Sequence, residues 1–325
     1  MALNIAHRLL YSKANRRLIS WSEKVVLPGF SGFSIYHVSR FFFHALVQGN
    51  LVNRAAAIAF RLFLSLFPAI IVLLTLIPFI PVPDFQEKLL GTFRSMLPGE
   101  VYHFIEGLLH DLLLRRHTAL LSISFVGGIF LASNSINAIL QGFRSSAFVT
   151  DWYRPWKQRL ISLLLMFLLS VLCITATAVL TVSSWGHSLI HTDGHTGHLL
   201  ESVGFSVLRW TVSVMLILVA IALLYHAGSP GKRKFHLVTP GAVLAILLVF
   251  VLSKALAFVF KYVTDYNALY GSIGVILAVQ LWLYFNMIVL LIGYELNTSI
   301  AKANSEHRSK LRLVEEQVAL PVSAR

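Results

Sequence analysis

The stretch that most constrains this chain is residues 53–79, NRAAAIAFRLFLSLFPAIIVLLTLIPF. A helix crosses the hydrocarbon core of a bilayer with about 20 mostly apolar residues. From Ala55 to Ile80 the sole ionisable side chain is Arg61. Pro68 and Pro78 would disrupt a soluble helix, but membrane helices tolerate proline where neighbouring groups re-satisfy the backbone. The stretch is therefore predicted to be a membrane span entered from its basic side. Composition agrees, with 57% hydrophobic and 13% charged residues and a mean hydropathy of +0.74. A soluble domain carries about 25% charged residues, so a globule made from these 325 residues would lack the polar surface to cover itself. The class implied is an integral membrane protein.

Apolar runs recur along the chain. Spans are predicted at about 55–80, 119–140, 160–184, 205–226, 238–260 and 273–296, giving an all-α, polytopic bundle of six transmembrane helices over residues 31–300. Residues 1–30 form a basic N-terminal region without the early apolar core of a cleavable signal. Residues 301–325 form a polar, basic tail expected to be frayed. Residues 33–47, FSIYHVSRFFFHALV, are too short and polar to span. His37, Arg40, His44 and Gln48 recur there opposite an aromatic face, as in a helix lying in the membrane interface. Between the first two spans, PDFQEKLLGTFRSML and EVYHFIEGLLHDLLLRR are amphipathic and are expected to cap the span ends on the extracytoplasmic side.

Lys and Arg set the orientation. The N-terminal region through Arg54, the 141–160 and 227–237 loops and the tail from 297 carry 19 of the 27 basic residues. The positive-inside rule then places both termini in the cytoplasm, N-in and C-in. The same rule explains the net charge of +13 without nucleic acid as a partner. Cys173 is the single cysteine and lies in an apolar run, which excludes an intramolecular disulfide.

Three stretches carry a resemblance. The entry AAAIAF-x-LFLSLFPAIIVLL, the TPGAV at 239–243 and the closing YGSIGVILAVQLWLYFNMIVLLIGYELN at 270–297 resemble the YihY/BrkB family of bacterial inner-membrane proteins. The family's last helix commonly ends in a GAELN-like string, and Tyr294 stands here where a small residue is usual. The resemblance implies a six-helix inner-membrane fold. It implies links to envelope integrity, serum resistance or the export of lipids and solutes, and it brings a ribonuclease label, ribonuclease BN.

The residues supply candidate sites of their own. Asn134, Asn137 and Gln141 fall at i, i+3 and i+7 of the second span and share a face. An unpaired amide is costly in lipid, so that face is expected to look into the bundle, either lining a path for substrate headgroups or making interhelical hydrogen bonds. Gln280 and Tyr284, four apart on the sixth span, are expected to face the same interior, and Lys254 on the fifth to attract anionic headgroups or snorkel outward. Arg61 and Glu295 both belong to the cytoplasmic half and are expected to form an ion pair, the alternative being that Arg61 reaches lipid phosphates and Glu295 is solvated. His187, His191, His195 and His198, with Asp193, have spacing that suits a transition metal, but the glycines among them and the absence of HExxH or a cysteine pattern favour a solvated loop.

No GxxxxGK[ST] is present, and the cytoplasmic acids Glu23, Asp151, Glu306, Glu315 and Glu316 are scattered, which gives a metal-dependent nuclease no cluster to work with. Neither an enzyme nor a cofactor is expected. The reading is a non-enzymatic inner-membrane transporter or exporter of a lipid or other amphiphilic envelope component. The competing reading is a scaffold that recruits envelope proteins. Membrane lipids are the expected partners, with envelope proteins or a second copy as further ones.

Overall fold

The computed structural model describes residues 35–80, 84–96, 99–149, 152–190, 198–230, 235–262 and 267–319. Helix α1 spans Ile35–Gln48 and α2 Leu51–Leu76, the latter followed by a 3-10 turn at Ile77–Phe79. Two short helices follow, α3 (Phe85–Met96) and α4 (Gly99–Leu114). Then come four long helices: α5 (Thr118–Arg144), α6 (Pro155–Ile190), α7 (His198–Ala227) and α8 (Pro240–Tyr262). The last, α9 (Asn267–Ala319), runs unbroken for 53 residues. Six of these helices, α2 and α5 to α9, contain segments long and apolar enough to span: Leu51–Phe79, Thr118–Arg144, Pro155–Val179, Arg209–Ala227, Pro240–Val259 and Ile276–Glu306. No strand occurs among the described residues.

The six spanning helices close a cycle. Helix α2 packs on α5, α5 on α6, α6 on α7, α7 on α8, α8 on α9, and α9 returns to α2. Short connections between antiparallel helices account for the neighbours from α5 to α9, α2 meets α5 across the inserted α3 and α4, and contact between the first and last spans completes the ring. The ends at which α2 begins, α5 and α7 finish and α9 leaves the bundle lie together, and this is called the basic end here. The large core sits there, built from Ile58, Leu140, Phe143, Leu224, Tyr225, Ala245, Leu291 and Tyr294. At the far end a smaller cluster of Leu90, Tyr102, Leu109 and Leu113 seats α3 and α4 against Leu74 and Ile77, so the two amphipathic helices do cap the end of the first span.

One expectation is corrected. The tail does not fray after residue 300, because α9 continues as helix to Ala319. At about 1.5 Å per residue its 53 residues are roughly two and a half times as long as a bilayer core is thick, so it projects beyond the basic end. The helix expected in the interface, α1, also packs against α9, with Val38 against Ile300 and Leu296. Protein burial is supplied by Val38 and Ala45, whereas Phe43 is exposed. The link from α1 to α2 is a tight turn in which Gly49 N–H bonds Ala45 O and Asn50 adopts a left-handed φ of 46°, a conformation that Asn tolerates well.

Candidate functional site

The basic end is closed by a layer that the last helix organises. Glu295 is fully buried inside the Ile276–Glu306 segment. Its Oε1 accepts from Arg54 Nη1 at 2.7 Å, and its Oε2 accepts from Ser146 Oγ at 2.6 Å. Arg54 Nη1 also donates to Gly49 O at 2.9 Å. The Arg54 side chain is 8% exposed, and its Nε and Nη2 have no hydrogen-bond partner. Burying both charges removes a large hydration energy from each, so the pair holds its place only through mutual attraction and these added hydrogen bonds. The three partners come from α2, α9 and the turn after α5. The pair therefore ties the first, second and last spans at one level.

One residue away, Tyr294 fills the centre of the same layer. Its ring stacks on Phe143 at a centroid distance of 4.1 Å, with Tyr225 edge-on to Phe143 at 5.8 Å. Its hydroxyl donates to Gly228 O, and Tyr225 Oη donates to Leu290 O at 2.7 Å. The small residues of the two late motifs allow this approach. A Cβ on Gly241 would overlap Gly293 O, and one on Gly293 would overlap Tyr225 Oη and Gly241 O, so α8 and α9 cross nearly backbone to backbone. Asn297 locks the crossing: its Oδ1 accepts from Gly241 N at 2.9 Å and its Nδ2 donates to Thr239 Oγ1 at 3.0 Å. Thr239 in turn caps α8 by accepting from Ala242 N at 3.2 Å. The strings TPG and GYELN are therefore two halves of one joint.

Arg61 is not the partner of Glu295. Its Nη1 donates to Gln141 Oε1 at 3.2 Å, and the pairing expected for it is made by Arg54, two turns earlier on α2. Arg54 and Arg61 are seven residues apart and share a face, so periodicity could not separate them. The choice depends on axial level, and Glu295 lies level with Arg54.

Two of the three stripe amides, Asn137 and Gln141, make interhelical hydrogen bonds, the second of the two roles expected, and the stripe does not share the α9-facing side of α5. Gln141 and Phe143 lie two positions apart on α5 and so point to nearly opposite sides. Phe143 holds the side toward α9, and Gln141 is exposed on the other. Asn134 shares the Gln141 side, is half-buried and makes no side-chain hydrogen bond within the described residues. Asn137 points to the α6 seam, where its Oδ1 accepts from Gln158 Nε2 at 2.6 Å and Gln158 Oε1 accepts from Trp152 Nε1 at 2.6 Å. The expectation that Gln280 and Tyr284 share an interior with this stripe is corrected accordingly. Gln280 belongs to the Tyr294 side of α9, and its Oε1 is buried without a partner. Tyr284 packs against the main core, and Lys254 is exposed on α8. His191 and His195, and the side chains of His187 and His198, lie outside the described residues. Among those described, no three His, Cys, Asp or Glu gather into a metal-binding group.

The missed residues were Arg54, Ser146, Tyr225 and Gly228. Arg54 stands beside the basic N-terminal region and reads from sequence as a loop charge. The signal that marks the joint is the pair of polar strings, TPG and ELN, each placed within a turn of an apolar run.

Above the closed layer the same helix faces open. On α2 the stripe Leu51, Ala55 and Ile58 is buried, yet Leu73 and Leu76, on the same side, are 63% and 47% exposed. On α5, Phe143 and Ile139 are buried while Phe125, five turns from Phe143, is 55% exposed. On α9, Leu283 is buried and Ile276 exposed, and on α7, Tyr225 and Ile221 are buried while Val207 is exposed. On these four helices the face that is buried at the basic end becomes exposed toward the far end.

A closed cycle of six apolar helices, tied by a buried ion pair and opening toward one end, defines a multi-pass helical membrane protein. The sequence profile of the family described as Virulence factor BrkB matches residues 42–317, and the chain belongs to that family. YfkH of Bacillus subtilis, which carries the name ribonuclease-like protein, is 27% identical over 252 residues, covering 77% of this chain and 90% of YfkH. A UPF0761 membrane protein of Xanthomonas campestris pv. campestris is 22% identical over 268 residues, 81% of this chain and 60% of that protein. No solved structure gives a significant match.

Proposed function

We propose that the protein is a non-enzymatic transporter or exporter of a lipid or similar amphiphilic envelope component. It would act in the bacterial inner membrane with its basic end in the cytoplasm. The observation that carries this reading is the change of burial along one face of α2, α5, α7 and α9, buried at the basic end and exposed toward the far end. An inward face of leucine, isoleucine, valine and phenylalanine suits an acyl chain better than a hydrophilic solute. The Arg54–Glu295 pair and the Phe143–Tyr294 stack are the closed gate on the cytoplasmic side. Gln280, with its unpaired oxygen, and Tyr284 take the role of polar contacts within the path. Helices α3 and α4 stand at the exit. Such a protein needs a second state, open at the basic end, in which these contacts part.

The test is a headgroup-labelled lipid translocation assay in liposomes, comparing the unaltered chain with Gln280→Leu and Tyr284→Phe. Movement above protein-free vesicles that the variants slow supports the reading. If no headgroup moves, the transport reading fails and a scaffold for envelope proteins takes its place, to be pursued by crosslinking.

A further inference from the structure

The six spanning segments hold two carboxylates, Glu295 and Glu306. Glu306 ends its segment, is 43% exposed and lies 3.6 Å from Lys302 Nζ. Of the two, only Glu295 is fully buried. Ser146 Oγ, which donates to its Oε2, stands 3.4 Å from Thr298 Oγ1, and that hydroxyl donates to Glu295 O at 3.0 Å. Hydroxyls both donate and accept. A proton placed on Oε2 is thus donated to Ser146 Oγ, whose own hydrogen turns to Thr298 Oγ1. This side of the site serves the neutral acid as well as the carboxylate. The Arg54 side does not, since a neutral acid leaves the buried guanidinium without its counter-charge. The two partners are also held unequally. Glu295 sits between Gly293 and Asn297, which lock α9 to α8. Arg54 lies in the first turn of α2, with Gly49 O as its other acceptor and its Nε and Nη2 without partners. An arginine at a helix end reaches the membrane surface by extending its side chain. No second charge competes for the site among the described residues. Arg61, next on the same face of α2, bonds Gln141. Arg144 at the end of α5, Arg40 and His44 on α1, His226 at the end of α7 and Lys254 on α8 are all exposed. Tyr225 donates to Leu290 O and Tyr294 to Gly228 O, and Tyr36 lies at the end of α1 away from the Gly49 turn.

We infer that Glu295 is a proton-binding site and that loading it opens the basic end. Parting the Arg54–Glu295 pair with both charges in place strands each of them in an apolar layer. A hydronium ion instead gives its proton to Oε2 and leaves as water. Glu295 then stays as a neutral acid held by Ser146, and Arg54 carries its unchanged charge to the surface. Loss of the proton restores the pair and closes the layer. For its purpose, though not for its chemistry, this rests on the transport reading: proton uptake becomes part of the step that exposes the cytoplasmic side.

Spin labels on Val52→Cys of α2 and Val243→Cys of α8, both exposed at the basic end, test the site in the full chain with Cys173→Ser. Their separation is read by pulsed electron resonance in detergent from about pH 8 to about pH 4, a range that spans carboxyl titration. The population at the longer distance is expected to rise against the shorter by up to about tenfold per pH unit, the slope for one proton. Glu295→Gln is expected to favour the longer distance at every pH, and Glu295→Asp to keep the pH response. Arg54→Met/Glu295→Gln strands no charge, is expected to lose the response, and serves if Glu295→Gln fails to fold. A distance that ignores pH when Arg54 and Glu295 are both present overturns the inference. So does a response that the double variant keeps, which would assign the proton to another group such as His44 or His226. Lipid translocation is read separately. Movement without a pH-dependent distance sinks the proton site and leaves transport, whereas a Glu295-dependent distance without movement supports the proton site and sinks transport.

Discussion

Arg54 Nη1 lies 2.7 Å from Glu295 Oε1, an ion pair that joins helices 241 positions apart and leaves almost none of either side chain in contact with solvent. Such a pair contributes little net stability when whole, yet removing one partner strands the other charge in an apolar layer. Glu295→Leu is therefore expected to cost about 3–5 kcal/mol, and Arg54→Met/Glu295→Leu less than either single change. Reversible unfolding in mixed micelles measures this, and double-variant costs equal to the sum of the singles would show that the pair does not couple.

Tyr294 contributes both a stacked ring and a hydrogen bond. Tyr294→Ala is expected to cost about 3–5 kcal/mol through the cavity left against Phe143. Tyr294→Phe should cost about 1–3 kcal/mol by leaving Gly228 O without its donor. The same unfolding titration separates the two, and equal stability of both variants would place Tyr294 outside the core.

The α8–α9 joint should reject even one methyl group. Gly241→Ala or Gly293→Ala is expected to destabilise by about 1–3 kcal/mol, because the new Cβ meets backbone carbonyls that cannot swing aside. Gly91→Ala on α3, where a Cβ would meet nothing within 4 Å, is expected to be neutral or stabilising by about 0.5–1 kcal/mol. Thermal transitions of the three proteins decide the matter, and a harmless Gly293→Ala would mean that the helices cross at a greater distance.

Cysteine labelling tracks the opening. In a Cys173→Ser background, cysteine at Leu73 or Phe125 is expected to react with a bulky maleimide in detergent at least about tenfold faster than cysteine at Ile58 or Leu140, since attack requires exposure. Uniform rates along the stripe would show that the inward side is sealed throughout.

Arg61 shows where sequence reading stops. Its place within a span, and the need for its charge to find a partner, follow from an apolar run containing one arginine. The partner does not follow, because Arg54 presents the same face two turns away and only the register of α9 against α2 distinguishes them. The amide stripe teaches the same lesson about direction. Periodicity puts Asn134 and Gln141 on one side of α5, but whether that side faces the ring or the lipid depends on where Phe143 stacks.

The sequence by itself determined the membrane class, the six spans and the amphipathic helices after the first of them, because each follows from local hydropathy and helical period over 10 to 30 residues. Tertiary structure alone decided the ring order, the Arg54–Glu295 pair, the interlocking of TPG with GYELN and the outward turn of the α5 amides. These depend on axial register and rotation between helices far apart in the chain, and no local pattern encodes either.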